Sequence, residues 1–364
     1  MNRDYRKIIY RAVGIVVILL GLALFVYKVR KTDWHDFDVF YLAAAAALHG
    51  KSVYIIVGEL NLPFWYPPWS AWMFIPYAIF PRAVAVVLFV VTCVATVALV
   101  IRYLMCYYKP DFGLLDKLLI GALLVPMSNQ LFNTAQIDYL LLGLAVLAIW
   151  GVETKRDILV GLLYPLLLTK PHLVIPFTAY LFLRAGKRAL LVSLLTTAAL
   201  LLAATILRPQ WYLEMLRLFQ QLGGRVDGLP FTTLPTLLGL QENWTGTANL
   251  PFTVLLILLA VVLLWPFRRM PPVPFLSLAL AASLFCAPRS HAYDLPLLIP
   301  AMIWLTVDGF PGKAWLWFVA ALVPIATSGS PLTYLVTLLV FGLAIQKAFR
   351  WLRFHSLLRA PTQV

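Results

Sequence analysis

Residues 83–104 read AVAVVLFVVTCVATVALVIRYL, with no charge before Arg102. As an α-helix this stretch rises about 33 Å, enough to cross the roughly 30 Å hydrocarbon core of a bilayer. Similar apolar runs recur at 8–27, 66–81, 117–128, 138–152, 157–169, 173–184, 189–207, 252–267, 273–287, 294–307, 313–327 and 331–347, separated by proline, glycine or charge. The 364 residues are 62% hydrophobic and 12% charged, against about 25% charged in soluble domains. So little charge leaves too little polar surface to cover a soluble globule, and so much apolar bulk excludes a disordered chain. Strand-like alternation is absent, which argues against a barrel. Backbone polar groups in lipid must then pair within helices. The reading is an all-α polytopic membrane protein, one domain over residues 1–364.

Topology follows from charge. Basic residues number 29 and acidic residues 15, a net +14. Lys155-Arg156, Lys187-Arg188, Arg268-Arg269 and the tail with Lys347, Arg350, Arg353 and Arg359 are expected in the cytoplasm. The first run follows Arg3, Arg6, Lys7 and Arg11 and precedes Lys28, Arg30 and Lys31, with no small-residue cleavage site. It reads as an uncleaved first span. Alternation of the basic loops requires one candidate not to cross. The weakest are 66–81, opened by Tyr66-Pro67-Pro68, and the short 117–128. The expectation is about 12 transmembrane helices with both ends cytoplasmic. No basic face alternates with exposed aromatics, so nucleic acid is not an expected partner. Cys93, Cys106 and Cys286 read as packing residues.

Two outer segments stand apart. Residues 30–65 hold Asp33, Asp36, Asp38 and Glu59, and within them Phe40 to His49 reads as a short surface helix with Gly50 as its cap. Residues 208–251 form a long amphipathic outer loop with Trp211 and Trp244, suited to the interface.

Chemistry-bearing residues cluster on the same predicted outer face. Asp33-Trp34-His35-Asp36-Phe37-Asp38-Val39-Phe40-Tyr41 is the densest motif. A carboxylate there is placed to act as a general base on a hydroxyl, although acids also favour a helix head through its dipole. Phe64-Trp65-Tyr66-Pro67-Pro68-Trp69 reads either as a rigid lead-in to a helix or as a pocket wall. Asn133 to Asp138 reads as a helix cap or a polar site, with Gln136 inside it. Lys170-Pro171-His172 sits between apolar helices. Its lysine either snorkels to the interface or meets an anionic phosphate. Arg289, His291 and Asp294, in APRSHAYD, offer a phosphate fork or a structural ion pair. No Walker loop, GxGxxG, GxSxG or HExxH occurs, so no nucleotide or other cofactor is expected. Asp36-x-Asp38 alone is weak ground for a metal.

The order Asp36-Phe37-Asp38-Val39-Phe40-Tyr41, alanine-rich helix, His49-Gly50, Tyr54 and Tyr66-Pro67-Pro68 resembles the start of glycosyltransferase family 87. Gln136, Gly161, Lys170-Pro171 and Pro288 with its polar cluster continue that order, and the resemblance spans about residues 10–305. These are GT-C-type membrane enzymes, typified by polyprenyl-phosphate-mannose-dependent α-mannosyltransferases. The resemblance implies an inverting transfer of a sugar, mannose first, from a polyprenyl-phosphate donor to a lipid or glycan acceptor. The reaction would run on the periplasmic side of a bacterial inner membrane. It implies Asp36 as base, with Asp38 as rival. It also implies donor-phosphate contacts from Lys170, His172, Arg289 and His291, and a substrate pocket with Tyr41, Tyr66, Gln136 and Asp294. Two departures stand out. Many members have Gly-Gln where this chain has Ala135-Gln136. Many carry Trp and paired His where this chain has His291 and Tyr293-Asp294. The rival classes are a lipid or polysaccharide transporter, which ought to show internal repeats of broken helices, and an outer-face glycan ligase or polymerase.

Overall fold

The computed structural model describes residues 34–57, 62–109, 135–222, 249–287, 292–307 and 333–357. The first predicted span, the 117–128 and 313–327 runs, Asp33, Arg289 and His291 lie outside these residues. The described chain is almost wholly helical.

Helix α1 (His35–Leu48) begins five residues before its predicted start at Phe40, so Asp36 and Asp38 stand in its first turn. The Trp34 carbonyl accepts the Asp38 N–H at 2.8 Å, and the helix dipole favours acids at this end. The alanine run carries the helix onward. Its end follows the sequence reading. Gly50 adopts φ +65°, and Gly50 and Lys51 donate their N–H groups to Ala47 and Ala46 at 3.0 and 2.8 Å. This Schellman closure needs a residue at ease with positive φ.

A two-residue hairpin, β1 (Ile56–Val57) antiparallel to β2 (Leu62–Pro63), follows α1. The weak 66–81 candidate breaks into α2 (Pro68–Trp72) and α3 (Ile75–Ala78). Neither approaches the roughly 20 residues of a crossing. Both serve as a floor for α1. Phe40 stacks on Phe74 and Tyr66 with ring centroids 4.6 and 4.7 Å apart, and Phe37 meets Phe89 at 5.4 Å. Such pairs each add about 0.5–1.5 kcal/mol beyond area burial.

Helix α4 (Arg82–Tyr108) contains the decisive apolar run. Helices α5 (Asp138–Glu153) and α6 (Asp157–Leu167) then run antiparallel, and α7 (Pro171–Leu207) packs on α6. Gly161 permits that packing, because a Cβ there would lie 2.6 Å from Val192 and 2.8 Å from the Ala189 carbonyl. Gly186, at φ +77°, breaks α7 beside the basic pair Lys187-Arg188. Helix α8 (Trp211–Leu222) is short and amphipathic. It is followed by α9 (Asn249–Leu264), α10 (Pro272–Cys286), a 3₁₀ turn (Ala292–Leu298), α11 (Ile299–Thr306) and α12 (Thr333–Leu357). Helix α10 runs through the centre, nearly every side chain buried.

Among the described residues two helices are long and apolar enough to cross a membrane, Arg82–Tyr108 and Arg184–Leu207. The expected dozen spans is not shown. Several predicted runs are short helices, such as Asp157–Leu167, or end early in a 3₁₀ turn. The outer face of both long helices is nonetheless apolar. Leu99 is 67% exposed, and Ile206 and Leu207 are 70% exposed, which suits contact with lipid rather than water.

Candidate active site

Helix α5 leads away from its first residue, and α6 returns. The head of α5, the head of α7 and the start of the 3₁₀ turn therefore meet at one end of the bundle. The Tyr66-Pro67-Pro68-Trp69 segment clamps this end. Trp69 Nε1 donates to the Pro165 carbonyl at 3.0 Å, and Ser70 Oγ donates to Thr169 Oγ1 at 3.0 Å. The last carbonyls of a helix lack internal partners, so the Trp69 bond satisfies one of them and fixes the turn that delivers Lys170.

Lys170 points inward and is 3% exposed. Its Nζ donates to Asp138 Oδ2 at 2.7 Å, Gln136 Oε1 at 3.2 Å and Asp294 Oδ1 at 3.3 Å. An ammonium has three N–H donors, which matches the three acceptors. Asp138 and Asp294 are also buried, and among the described residues Asp138 Oδ1 has no hydrogen-bond partner. A lone buried charge is untenable without such pairing.

Asp36 reaches this cluster from α1. It is half-buried, close to the Gln136 side chain and within the field of Lys170, His35 and Asp294. Burial raises its carboxyl above the ordinary aspartate range, while Gln136 and Lys170 pull the other way. Asp36 and Phe40 lie one turn apart on α1, so the stacking of Phe40 on Tyr66 fixes the face that carries Asp36. The Tyr66 phenol is pushed up to about 12, first by burial. It stays protonated at neutral pH. Ala135, beside Gln136, sits at φ +49°, in the left-handed region that glycine favours.

The sequence profile of Glycosyltransferase family 87 matches residues 64–288, well over half of the chain. The chain belongs to glycosyltransferase family 87. No curated protein and no solved structure matches it significantly. The family assignment carries glycosyltransferase activity in general. The matched region of this family 87 chain includes Tyr66, Gln136, Asp138 and Lys170. Asp36 and Asp294 lie outside the match, and the fold brings both to the Gln136–Lys170 cluster within it.

Other expected site residues fall elsewhere. Asp38 is held by Arg82, whose Nε and Nη2 donate to its two oxygens at 2.6 Å each. The Tyr41 hydroxyl donates to the Phe80 carbonyl at 2.9 Å. The first contact fastens α1 to the head of α4, the second to the turn just ahead of it. His172 lies in the first turn of α7. Asp138 is the residue that sequence reading passed over as a site member. Its signal was an acid two residues after Gln136 at the head of an apolar helix, which reads equally as a cap. Among the described residues no three His, Cys, Asp or Glu side chains are grouped to hold a metal.

Proposed function

We propose that this family 87 chain transfers a sugar, mannose in the first instance, from a polyprenyl-phosphate donor to a lipid or glycan acceptor. The reaction belongs to the outer face of a bacterial inner membrane, and the chain is a multi-pass protein there. The observation that carries this reading is the position of Asp36, a half-buried carboxylate beside Gln136 and the buried Lys170 ion cluster.

Asp36 takes the proton of the acceptor hydroxyl as that oxygen bonds to the anomeric carbon. The bond from that carbon to the phosphate oxygen breaks, and the phosphate leaves with the electron pair. One displacement on a β-linked donor gives an α product, so no second nucleophilic carboxylate is required. The Nζ of Lys170 already meets three acceptors. Its role here is to hold the acids together rather than to grip phosphate directly. Charge on the leaving phosphate falls to Arg289 and His291, which precede Asp294 closely in sequence. The exposed apolar faces of α4 and α7 support a membrane setting, where such a donor is found.

The test is transfer by purified protein supplied with a panel of radiolabelled polyprenyl-phosphate sugars and a membrane glycolipid extract. Label moving from polyprenyl-phosphate mannose into glycolipid supports the reading. Transfer from nucleotide sugars alone overturns it.

A further inference from the structure

A second cleft lies where the apolar run of α7 gives way to charge, between the end of α1, α2, α7 and α8. Ile206 and Leu207, the last residues of α7, are each 70% exposed, and Arg208 follows at once. The amphipathic α8 then opens with Trp211 and Tyr212, residue types that favour a membrane–water boundary. Trp72, Trp211, Ala204 and Leu207 give the cleft its apolar lining, and Lys51, Arg208 and Glu214 its charge.

Hydrogen bonds fix the charged side. Arg208 Nε donates to the two Glu214 oxygens at 2.8 and 2.9 Å, Nη2 lies 2.6 Å from Oε1, and Nη1 donates to the Gly50 carbonyl at 3.3 Å. Ser52 Oγ donates to Glu214 Oε2 at 2.6 Å. The cap of α1 and the first turn of α8 are thereby held together around the cleft. A guanidinium carries five N–H donors, so Arg208 keeps donors to spare. Lys51 is exposed, and among the described residues no acid pairs with it. Lys51 and Arg208 against Glu214 leave one positive charge in excess.

We propose that this cleft is a binding site for an anionic phospholipid, with the phosphate on Lys51 and the spare Arg208 donors and one chain between Trp72, Trp211 and Leu207. The single negative charge of such a headgroup matches the single excess cation. A zwitterionic lipid brings an ammonium, whose natural partner, Glu214, is already engaged. The enclosed part of the cleft is about 80 Å³, several times the roughly 10–15 Å³ that one water needs. It fits a headgroup and the start of a chain, and the remaining chain lies along the exposed apolar side of α7. From Asp36 to Leu48 α1 rises about 18 Å at roughly 1.5 Å per residue. A phosphate on Lys51 is therefore too far from Asp36 to be the leaving group of sugar transfer. The site needs the membrane setting of the chain, not the choice of Asp36 as base.

The test is native mass spectrometry of the full chain in detergent. Phosphatidylglycerol, phosphatidylcholine with the same acyl chains, and a polyprenyl phosphate are titrated separately. Wild type is expected to retain one phosphatidylglycerol about tenfold more tightly than phosphatidylcholine, the scale of one charge-assisted contact. Lys51→Glu turns the excess charge negative at an exposed position, so it is expected to abolish that preference while unfolding at the wild-type temperature. Lys51→Gln is expected to reduce it by a smaller factor. Lys187→Glu makes the same charge change at the other end of the Arg184–Leu207 apolar stretch and is expected to leave the preference intact.

Equal retention of phosphatidylglycerol by wild type and Lys51→Glu overturns the proposal. So does an equal loss in Lys187→Glu, which would reflect overall charge rather than a site. Retention of the polyprenyl phosphate through Lys51, with no preference for phosphatidylglycerol, overturns the assigned occupant.

Discussion

Lys170 Nζ and Asp138 Oδ2 meet at 2.7 Å with the two side chains 4% and 0% exposed. The pair is sealed from water, and a second acid, Asp294, lies 3.3 Å from the same nitrogen. One cation therefore holds two carboxylates at the helix ends that carry the site.

This makes Lys170 a stability residue as well as a site residue. Lys170→Met removes the cation that pairs with the buried Asp138 and Asp294. Breaking a buried pair in this way costs about 3–5 kcal/mol. Thermal unfolding in detergent is expected to show a large fall or no folded protein. Adding Asp138→Asn and Asp294→Asn to Lys170→Met is expected to recover much of the loss. A lone Lys170→Met variant with unchanged unfolding would show that the cluster is not sealed.

The left-handed backbone at Ala135 makes a separate prediction. A Cβ in this region costs about 1–2 kcal/mol. Glycine relieves that strain but loses a buried methyl and gains freedom when unfolded, each worth roughly 0.5–1 kcal/mol. Ala135→Gly is therefore expected to be near neutral. Ala135→Val adds β-branching and bulk at a fully buried position and is expected to cost upward of about 2 kcal/mol. Equal unfolding temperatures for the two variants would contradict the backbone assignment.

Asp36 links stability to pH. Burial raises its folded pKa above the unfolded value of about 3.9. Between those two values the folded state binds more protons than the unfolded state. Stability from this group therefore falls as pH rises through that window. At neutral pH the wild type bears the full cost of a buried charge. Asp36→Asn is expected to unfold at a higher temperature than wild type at pH 7, with the gap closing as pH falls through the folded pKa. A gap that widens on acidification would mean that Asp36 is stabilised, not strained, in its charged form.

The sequence showed part of this arrangement. Gly50 as a helix cap, the proline break after Tyr66 and the shared face of Gln136, Lys170 and Asp294 were legible because each rests on local chemistry or loop charge. The helix start at His35 was not, since the alanine run that marks the helix begins only after Phe40 and the acids before it read equally well as a catalytic motif. The Lys170–Asp294 contact joins residues 124 positions apart, and no local pattern specifies such a pair. Asp138 was hidden for the same reason, its acid serving two plausible purposes until the fold supplied a lysine. Among the described residues only two helices have the length of a crossing, because apolar runs of 11 to 16 residues, such as α6 and α5, have its composition without its length.

The most direct test of the account compares Asp36→Asn with Asp38→Asn in one detergent preparation, measuring mannose transfer from polyprenyl-phosphate mannose alongside donor binding. Removing a general base typically costs about 10²–10⁴ in rate. The account predicts a loss of that size for Asp36→Asn with donor binding retained. Asp38→Asn, which disturbs only the half-exposed pair with Arg82, is expected to stay within about tenfold of wild type. Normal transfer by Asp36→Asn, with collapse in Asp38→Asn, would contradict the assignment of the base.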